Sequence, residues 1–505
     1  MAHLSLVAAT GVRILGAVAL TALFAVTGCA PATRLPSFTP REDVPLAGLP
    51  TGMRGWPQPS WWKRYNDPQL DHLVDMAMRG SPDLEVAEAR YRSAERAIDV
   101  QRAQLRPQAK GYVDASHGYS DAGLQGQIPS SAGSEANQGF QLKPGSSYSN
   151  TGVAAALLTW DLDLWGRQKA AVAAAVGQAN AARADRATAG NSLQYNLVST
   201  YFNWQATQAR LAVANESERS AATYRTLVEA RVHAGLDDPQ LLDTADSQLA
   251  QQRGNVAMLS GSSELDIAQL AAIAGVSPQE IGQLRALPLP AVSSQLPGDA
   301  RLGLIARRPD IVSARWQIEA AGHGIDEARA AYYPDVSLMG LGGYLRAYPN
   351  LGSGTRTDLT LGSIGPSISL PIFSGGRLKA EFETSQAQLD TAVANYNRSV
   401  VQAAHDVAQQ ILTLQQLDAE RVQQDRELLD SSSQLRRTGQ RRKEGIEDDR
   451  TYLSAQMQRD QQIDAQLQLQ GQQVATDLSL IHALGGGYRA DYVPPVTAVA
   501  KDNSR

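Results

Sequence analysis

The chain repeats itself, and this internal duplication constrains the fold more than any other feature of the sequence. The proline positions of the two copies lie 227 residues apart, whereas the later glycine positions lie 210 residues apart. The offset changes once, by 17 residues, which predicts a longer surface loop in the first copy. The matched pairs are Pro82 and Pro309, Pro107 and Pro334, Gly166 and Gly376, Gly235 and Gly445, and Gly275 and Gly485.

In each copy the period of the hydrophobic residues changes in the same order. This order predicts a helix, then two strands and then a very long helical hairpin. Both first helices begin with proline, which is favoured at the first helical position. We predict helices at 82–106 and 309–332, strands near 110–120 and 148–162 around the polar loop 121–147, and a strand near Leu361–Ile372.

The strand of the second copy alternates between apolar and small polar residues, which is typical of a sheet with two unlike faces. One face would carry Ile364, Ile368, Leu370 and Ile372, and the other Ser363, Gly365, Ser367 and Ser369. Trp160, Trp165 and Tyr344 fit an interfacial aromatic belt. They fit the core of a soluble sheet equally well.

Four strands per chain have a consequence for assembly. After residue 30 no segment reaches the roughly 18 apolar residues of a membrane helix, so any membrane crossing must use strands. Four strands cannot close a membrane barrel, and an isolated sheet would leave two unsatisfied edges. Other subunits must therefore complete the sheet, and the residues alone do not decide between a dimer and a trimer.

Very long helices follow each strand pair, at 166–235 and 376–444, and return through about 238–275 and 448–484. At 1.5 Å per residue, each long helix would span roughly 100 Å. Two apolar rows in the second helix recur every seven residues, which predicts a coiled-coil seam. These rows are Phe382, Leu389, Tyr396 and Ala403, and Val393, Val400, Val407 and Leu414.

The N-terminus reads as a targeting segment, with a basic region that ends at Arg13 and an apolar run after it. That run ends in Val26-Thr27-Gly28-Cys29, which resembles the bacterial lipobox, where the cysteine is acylated. Cys29 is the only cysteine of the 505 residues. Ala30 follows it, and the resemblance to bacterial lipoproteins implies sorting to the outer membrane. The alternative is an ordinary secretory signal with an incidental cysteine.

The whole pattern resembles the TolC/OprM family of outer-membrane efflux channels, of the NodT-like lipoprotein type. Some motifs place it nearest the branch of MdtP and the fusaric-acid-resistance channels. The motifs are Trp61-Trp62, Asp67-Pro68-Gln69-Leu70, Asp161-Leu162-Asp163-Leu164-Trp165-Gly166, Arg308-Pro309-Asp310, Leu370-Pro371-Ile372-Phe373-Ser374-Gly375-Gly376-Arg377, and, for that branch, Trp56-Pro57 and Leu484-Gly485-Gly486-Gly487-Tyr488.

This resemblance implies a mainly α-helical, internally duplicated fold with a transmembrane β-barrel part. Three chains would form a twelve-stranded β-barrel, a twelve-helix periplasmic α-barrel and a mixed equatorial domain. The expected segments are a lipoprotein signal peptide (1–28), an N-terminal anchor and equatorial segment (29–80), a first efflux repeat (81–275, with a β-hairpin at about 110–162 and a helical hairpin at 166–275), an equatorial linker (276–308), a second repeat (309–485, with a β-hairpin at about 335–372 and a helical hairpin at 376–484), and an equatorial tail (486–505).

The implied function is a passive exit duct of a tripartite pump for small toxic compounds or drugs, with no catalysis, cofactor or metal. The implied partners are two further copies of the chain, a periplasmic adapter (membrane fusion protein), an inner-membrane efflux transporter and outer-membrane lipid. The net charge of −5 gives no indication of nucleic-acid binding.

The turns of the two helical hairpins are the candidate functional site, because they lie far along the chain from the strands. We expect adapter docking at Gly235, Gly445, Arg441, Arg442 and Lys443. The candidate aperture residues are Asp237, Asp238, Glu447, Asp448, Asp449, Thr451 and Ser454. Basic residues at helix ends and acids at helix starts also compensate helix dipoles, and this plain explanation competes for each charge.

One position departs from the family pattern. Many members carry an Asp-x-x-Asp pair six and nine residues after the second glycine, where this chain has Thr451 and Ser454. The equivalent positions in the first copy are Leu241 and Thr244. Either acids nearer the turn line the aperture, or uncharged contacts close it. We expect the former, with Glu447, Asp448 and Asp449 as the candidates.

Three other functions compete with that of a drug-efflux duct. An enzyme has little support, because the histidines are scattered and form no metal-site spacing. A lipid-anchored periplasmic coiled-coil scaffold would not need the β-hairpins. The outer-membrane component of a type I protein-secretion system would share the fold and differ in its cargo. The seven histidines are His3, His72, His117, His233, His323, His405 and His482.

Overall fold

The structure, a computed structural model, describes residue 31 and residues 37–43, 55–124, 142–292, 300–349 and 357–495. The predicted signal peptide and Cys29 lie outside the described residues. A short 3₁₀ helix at Trp61–Tyr65 precedes the regular elements. These are α1 (Pro68–Gly80), α2 (Pro82–Gln104), β1 (Gln108–Leu124), β2 (Leu142–Asp161), α3 (Arg167–His233), α4 (Pro239–Ala274), α5 (Pro278–Ile281), α6 (Ala300–Arg307), α7 (Pro309–Ala330), β3 (Asp335–Pro349), β4 (Thr357–Ser369), α8 (Arg377–Lys443) and α9 (Asp449–Ala483).

The duplication is visible in the order and length of the elements. Helices α2 and α7 both begin at the predicted prolines. A strand pair follows each of them, and α3 and α8 are each 67 residues long. The return helices α4 and α9 have 36 and 35 residues. The predicted order of helix, two strands and long helical hairpin is therefore confirmed in both copies.

The four strands form one antiparallel sheet in the order β1-β2-β3-β4. The two hairpins of the duplication lie side by side, because β2 pairs with β3 from Ser149–Pro349 to Asp161–Ser337. In the part of the chain that is described, β1 pairs only with β2, and β4 pairs only with β3. Both outer edges therefore keep a row of backbone donors and acceptors without a strand partner.

Two details of the strand prediction are wrong. The loop predicted at 121–147 is shorter, because β1 continues to Leu124 and β2 begins at Leu142. Backbone pairing extends the hairpin through polar residues, which the side-chain pattern did not indicate. The strand predicted near Leu361–Ile372 ends at Ser369, so Leu370 and Ile372 lie beyond it. Pro371 has no N–H to donate to a ladder, which explains the earlier end.

The coiled-coil seam of the second long helix is confirmed by burial. All eight predicted residues are at most 5% exposed, and Tyr396, Val400, Ala403 and Val407 are fully buried. None of the described helices is long and apolar enough to cross a bilayer.

The described residues divide into two compact units. The first comprises residues 96–176 and 320–389 and contains the sheet. The second comprises the described parts of residues 36–95, 177–319 and 390–505. An apolar core of this unit includes Trp61 and Trp62, whose rings meet edge to face at 6.0 Å. Asp67 accepts a hydrogen bond from the Gln69 N–H at 2.9 Å and so caps α1, which places Leu70 in that core.

The Asp-Leu-Asp-Leu-Trp-Gly motif, in the first unit, turns the chain from β2 into α3. Asp163 has a positive φ of 45°, and its carboxylate accepts hydrogen bonds from the N–H groups of Gln168 (2.9 Å) and Lys169 (3.0 Å). The motif therefore caps the first long helix. The Trp165 indole donates to the Pro334 carbonyl at 2.8 Å and stacks on Tyr333 at 5.0 Å, yet 41% of Trp165 remains exposed.

Candidate functional site at the helical turns

The two helical hairpins of the second unit turn through the same backbone motif. Gly235 and Gly445 have φ values of 72° and 75°, in the left-handed region that favours glycine. In the first turn the Leu236 N–H donates to the Arg231 carbonyl at 2.9 Å, and in the second the Ile446 N–H donates to the Arg441 carbonyl at 2.8 Å. These bonds close a Schellman motif at the end of each long helix.

Equivalent side chains reinforce both turns. Arg231 makes a bidentate pair with Asp237, at 2.8 and 3.1 Å. At the matching positions of the second copy, Arg441 contacts Glu447 at 3.1 Å. Each pair joins the end of one helix to the loop before the next. Two of the predicted aperture acids, Asp237 and Glu447, therefore have an arginine partner within their own turn.

The next acid in each turn caps the return helix. Asp238 accepts a hydrogen bond from the Gln240 N–H at 2.8 Å. Asp448 accepts one from the Thr451 N–H at 2.9 Å and another from the Thr451 hydroxyl at 2.8 Å. Helix caps of this kind satisfy backbone donors that lack partners within the helix. Both acids therefore have a structural role besides the one predicted.

The two turns are joined by Arg450, in the first turn of α9. Its guanidinium donates to Asp237 of the first turn at 2.6 Å and to Asp448 of its own turn at 2.7 Å. Asp237 is only 10% exposed and contacts two arginines, Arg231 and Arg450. The equivalent of Arg450 in the first copy is Gln240, so this link has no counterpart in the first turn.

The acids of this network are held in their charged form. Hydrogen bonds from Arg231, together with the charge of Arg450, lower the pKa of Asp237. Burial alone would raise the pKa of Asp448, but hydrogen bonds from Thr451 and Arg450 outweigh it and lower that pKa to about 2. Both carboxylates therefore remain ionised at neutral pH.

The remaining cations of the second turn differ in their surroundings. Arg442 forms a close ion pair with Asp449, and its guanidinium lies 4.8 Å from the ring centre of Tyr452. Lys443 is exposed at the end of α8. Of the predicted docking cations, Arg441 and Arg442 are thus engaged within the chain.

The aspartate positions of the family pattern are occupied differently here. The Thr451 hydroxyl contacts Asp448, as described, and Ser454 is exposed on α9. In the first copy Leu241 is 42% exposed, and the Thr244 hydroxyl donates to the Gln240 carbonyl at 3.0 Å. The charge of the turns is therefore concentrated nearer the glycines.

Apolar side chains project from the same turns. Leu236 and Ile446 follow the two glycines and are 65% and 62% exposed. Neither of these apolar residues is among the site residues that the sequence predicts. Arg450 is not among them either, although a cation in the first turn of a helix opposes the helix dipole and so indicates a nearby acid.

The charged residues of the described ranges form no candidate metal centre. No group of three or more His, Cys, Asp or Glu residues suited to a metal ion occurs among them. The charged groups of the turns instead form ion pairs and helix caps, which suits a site that holds two helical hairpins together.

Comparisons with known proteins agree with the duplicated architecture. The family model described as "Outer membrane efflux protein" matches residues 73–276 and 303–486. The putative multidrug resistance outer membrane protein MdtQ of Shigella flexneri is 32% identical over 92% of this chain and 97% of its own length. The multidrug resistance outer membrane protein MdtP of the same organism is 30% identical over 89% of both chains. MdtP represents the branch predicted from the motifs.

A solved structure supports the same assignment. The outer membrane protein VceC of Vibrio cholerae is 28% identical, with a TM-score of 0.69, over 86% of this chain and all of VceC. The mostly helical fold with one small sheet matches that of these channels. The chain therefore belongs to the outer membrane efflux protein family, a family of transport channels that reside in the outer membrane.

Proposed function

We propose that three copies of this chain close a duct that passively conducts small toxic compounds or drugs from the periplasm through the outer membrane. The observation that carries this proposal is the open sheet of the first unit. Strands β1 and β4 each have one edge without a partner among the described strands. Backbone groups at such an edge cannot be left unsatisfied in lipid.

The strand directions are compatible with closure by identical copies. Each strand pairs antiparallel with its neighbour, so β1 and β4 run in opposite directions. The β4 edge of one copy can therefore pair antiparallel with the β1 edge of the next. Two copies would give eight strands and three would give twelve. Membership of the efflux family favours three.

The partners would be a periplasmic adapter and an energised inner-membrane transporter. The adapter would dock on the turns around Gly235 and Gly445. Exposed Leu236 and Ile446 provide apolar contacts there, and Arg441, Arg442 and Lys443 surround the second turn with positive charge. Exposed apolar side chains with a charged rim are typical of a protein-binding surface.

The aperture would be formed by the turn acids, with Glu447, Asp448 and Asp449 nearest the axis. Arg450 would hold the closed state, because it fixes the second turn to Asp237 of the first. Movement of one hairpin away from the other must break this ion pair. The duct would then open without any covalent chemistry or cofactor.

The cargo assignment rests on the relatives. MdtQ and MdtP are named as multidrug resistance outer membrane proteins, which favours small drugs over secreted proteins. Acylation at Cys29 would add a lipid anchor to the mature chain. The completed barrel would hold the assembly in the membrane without it.

Disulfide trapping tests the assembly directly. Val113→Cys on β1 is combined in turn with cysteine at Thr360, Gly362 and Ile364 on β4, and intact outer membranes are oxidised. We expect at least one combination to give covalent trimers. The matched control is Ala156→Cys with Gly342→Cys, which face each other across β2 and β3 and should link only within a chain. Covalent dimers without trimers would refute the proposed stoichiometry.

A further inference from the structure

Exposed apolar residues cluster at the junctions between strands and long helices in the first unit. Ile372 and Phe373, just after β4, are each 91% exposed. At the equivalent junction after β2, Leu164 is 62% exposed and Trp165 is 41% exposed. Large apolar side chains so exposed at one place mark a surface that another molecule covers.

Cations follow the apolar residues at both junctions. Helix α3 begins Arg167-Gln168-Lys169 and α8 begins Arg377-Leu378-Lys379, at the repeat offset of 210 residues. Neither helix has an acidic residue in its first turn. A helix N-terminus carries a partial positive charge, so cations are disfavoured there. The Asp163 carboxylate supplies one negative charge at the start of α3. A further negatively charged partner would stabilise the cations that recur in both copies.

Acids of the same chain form only weak ion pairs with the cations at the start of α8. Arg377 contacts Glu381 at 2.7 Å, and Arg377 remains 64% exposed. Lys379 lies 3.8 Å from Glu383 and is 75% exposed. Pairs with the cation nearer the helix N-terminus are in the weaker orientation, and exposed ion pairs contribute little.

The junctions of the two copies meet around one cavity. This cavity has a volume of about 210 Å³, and its lining includes Trp165, Arg167 and Arg377 together with the acids Asp161, Asp163, Asp335 and Glu381. Arg167 and Asp335 approach to 3.8 Å across it. Leu164, Trp165 and Arg167 of one junction therefore lie beside Arg377 of the other. Along the sequence, Lys169 follows the first group, and Ile372, Phe373 and Lys379 flank Arg377. We call this set the junction collar, and define it as Leu164, Trp165, Arg167, Lys169, Ile372, Phe373, Arg377 and Lys379.

We propose that the junction collar binds phospholipids of the outer membrane's periplasmic leaflet, with its apolar residues among the upper acyl chains and its four cations on headgroup phosphates. Position favours lipid as the partner, because the collar adjoins the strands proposed to cross the membrane. Charge favours it too, since phosphates are the anions that such a surface presents. Long cationic side chains can reach the headgroups while an aromatic ring lies below them. This inference rests on the proposed function, which places the sheet in the membrane.

The environment of Phe373 tests the apolar half of the proposal. The Phe373→Cys protein is spin-labelled and reconstituted in vesicles of phosphatidylethanolamine and phosphatidylglycerol, and relaxation by oxygen and by a water-soluble nickel chelate is compared. A protein without the added cysteine reports any background from Cys29. We expect a mobile label that is more accessible to oxygen than to nickel. An immobile label shielded from both would mean that a neighbouring chain covers the site, and preferential nickel access would mean water. Either result overturns the proposal.

Lipid binding by the cations is tested separately. The full chain in detergent is titrated with phosphatidylglycerol, and bound lipid is counted by native mass spectrometry. We expect Arg377→Gln/Lys379→Gln to weaken binding about tenfold, because each cation near a lipid surface contributes substantially. The control Arg421→Gln/Arg426→Gln removes the same charge from exposed positions further along α8. Equal binding by both variants would contradict a role for the collar cations.

The proposed function and lipid binding at the junction collar can fail independently. A chain that does not insert into vesicles at all contradicts the proposed function. A chain that inserts and forms trimers, but keeps position 373 away from lipid, contradicts only the junction collar.

Discussion

Arg450 donates a hydrogen bond at 2.6 Å to Asp237, a residue 213 positions away in the other copy of the repeat. Asp237 also accepts two hydrogen bonds from Arg231, so a single carboxylate joins both turns. Because Arg450 is 24% exposed and Asp237 only 10%, water screens this pair less than the others at the turns. The contact therefore connects the two hairpins at the place where the duct should open.

Replacing Arg450 with Gln should favour the open state. Loss of the ion pair between Arg450 and Asp237 should shift the population of the open state about fivefold. Single-channel recordings in planar bilayers would measure it as a higher open probability. Arg436→Gln removes the same charge from an exposed position on α8 and should have no effect. The same open probability in both variants would contradict a role of the Arg450–Asp237 ion pair in holding the closed state.

The acids of the second turn should determine ion preference. Replacing Glu447, Asp448 and Asp449 together with Ala should raise conductance and reduce selectivity for cations, because three negative charges leave the second turn of every chain. Reversal potentials in asymmetric salt would measure the change. Unchanged conductance together with unchanged cation preference would place the aperture elsewhere.

Acid should loosen the turns in a defined pH window. The pKa of Asp448 is lowered to about 2, so its stabilising contribution is complete above the unfolded-state value of about 3.9. That contribution is lost as the pH falls through about 2. We expect open probability to rise as the pH is lowered across this window. Asp448→Asn can still cap α9 but carries no charge, and it should respond less. An identical pH response would exclude Asp448 as the group responsible.

Arg308 should stabilise the second unit. Its guanidinium forms a bidentate pair with Asp310, contacts Asp406 at 3.1 Å and donates to the Ala483 carbonyl at 3.1 Å. Arg308→Met leaves both acids without this cation and should cost about 2–3 kcal/mol. A lower thermal midpoint, followed by far-ultraviolet circular dichroism, would show it. Arg398→Met, at an exposed position on α8, should change stability little.

Gly485 should not tolerate a side chain. Its φ is 95°, and an added Cβ would lie 1.9 Å from the Arg307 carbonyl oxygen. Gly485→Ala should therefore destabilise the chain by about 2 kcal/mol or more. Gly254→Ala meets open space within α4 and should stabilise it by up to about 1 kcal/mol. Equal melting temperatures for the two variants would contradict the close approach.

Much of the fold could be predicted from local signals. Pro82 and Pro309 begin α2 and α7 because proline suits a first helical position. Gly235 and Gly445 follow the ends of the long helices α3 and α8 because glycine accepts a positive φ. The spacing of seven residues between apolar side chains, from Phe382 onward, predicts the buried seam of α8. Each of these features depends on residues only a few positions apart.

The rest depends on contacts between distant residues. The pairing of β2 with β3 joins the two copies in a register that no local pattern encodes. The partner of Arg450 could not be named for the same reason, since Asp237 lies in another hairpin. The sequence shows which charged residues lie near the turns. Their division into helix caps, ion pairs and a link between hairpins required the three-dimensional arrangement.

Because both repeats lie in one chain, their turns can carry different residues at the same position, which identical single-repeat chains could not. In a ring of identical single-repeat chains, every turn would carry the same residue at the position of Arg450. Here one copy has arginine and the other Gln240, so donor and acceptor roles are divided between neighbouring hairpins. In the proposed trimer each link would then have a direction around the ring. A mutation could alter every second boundary between hairpins and leave the other boundaries unchanged.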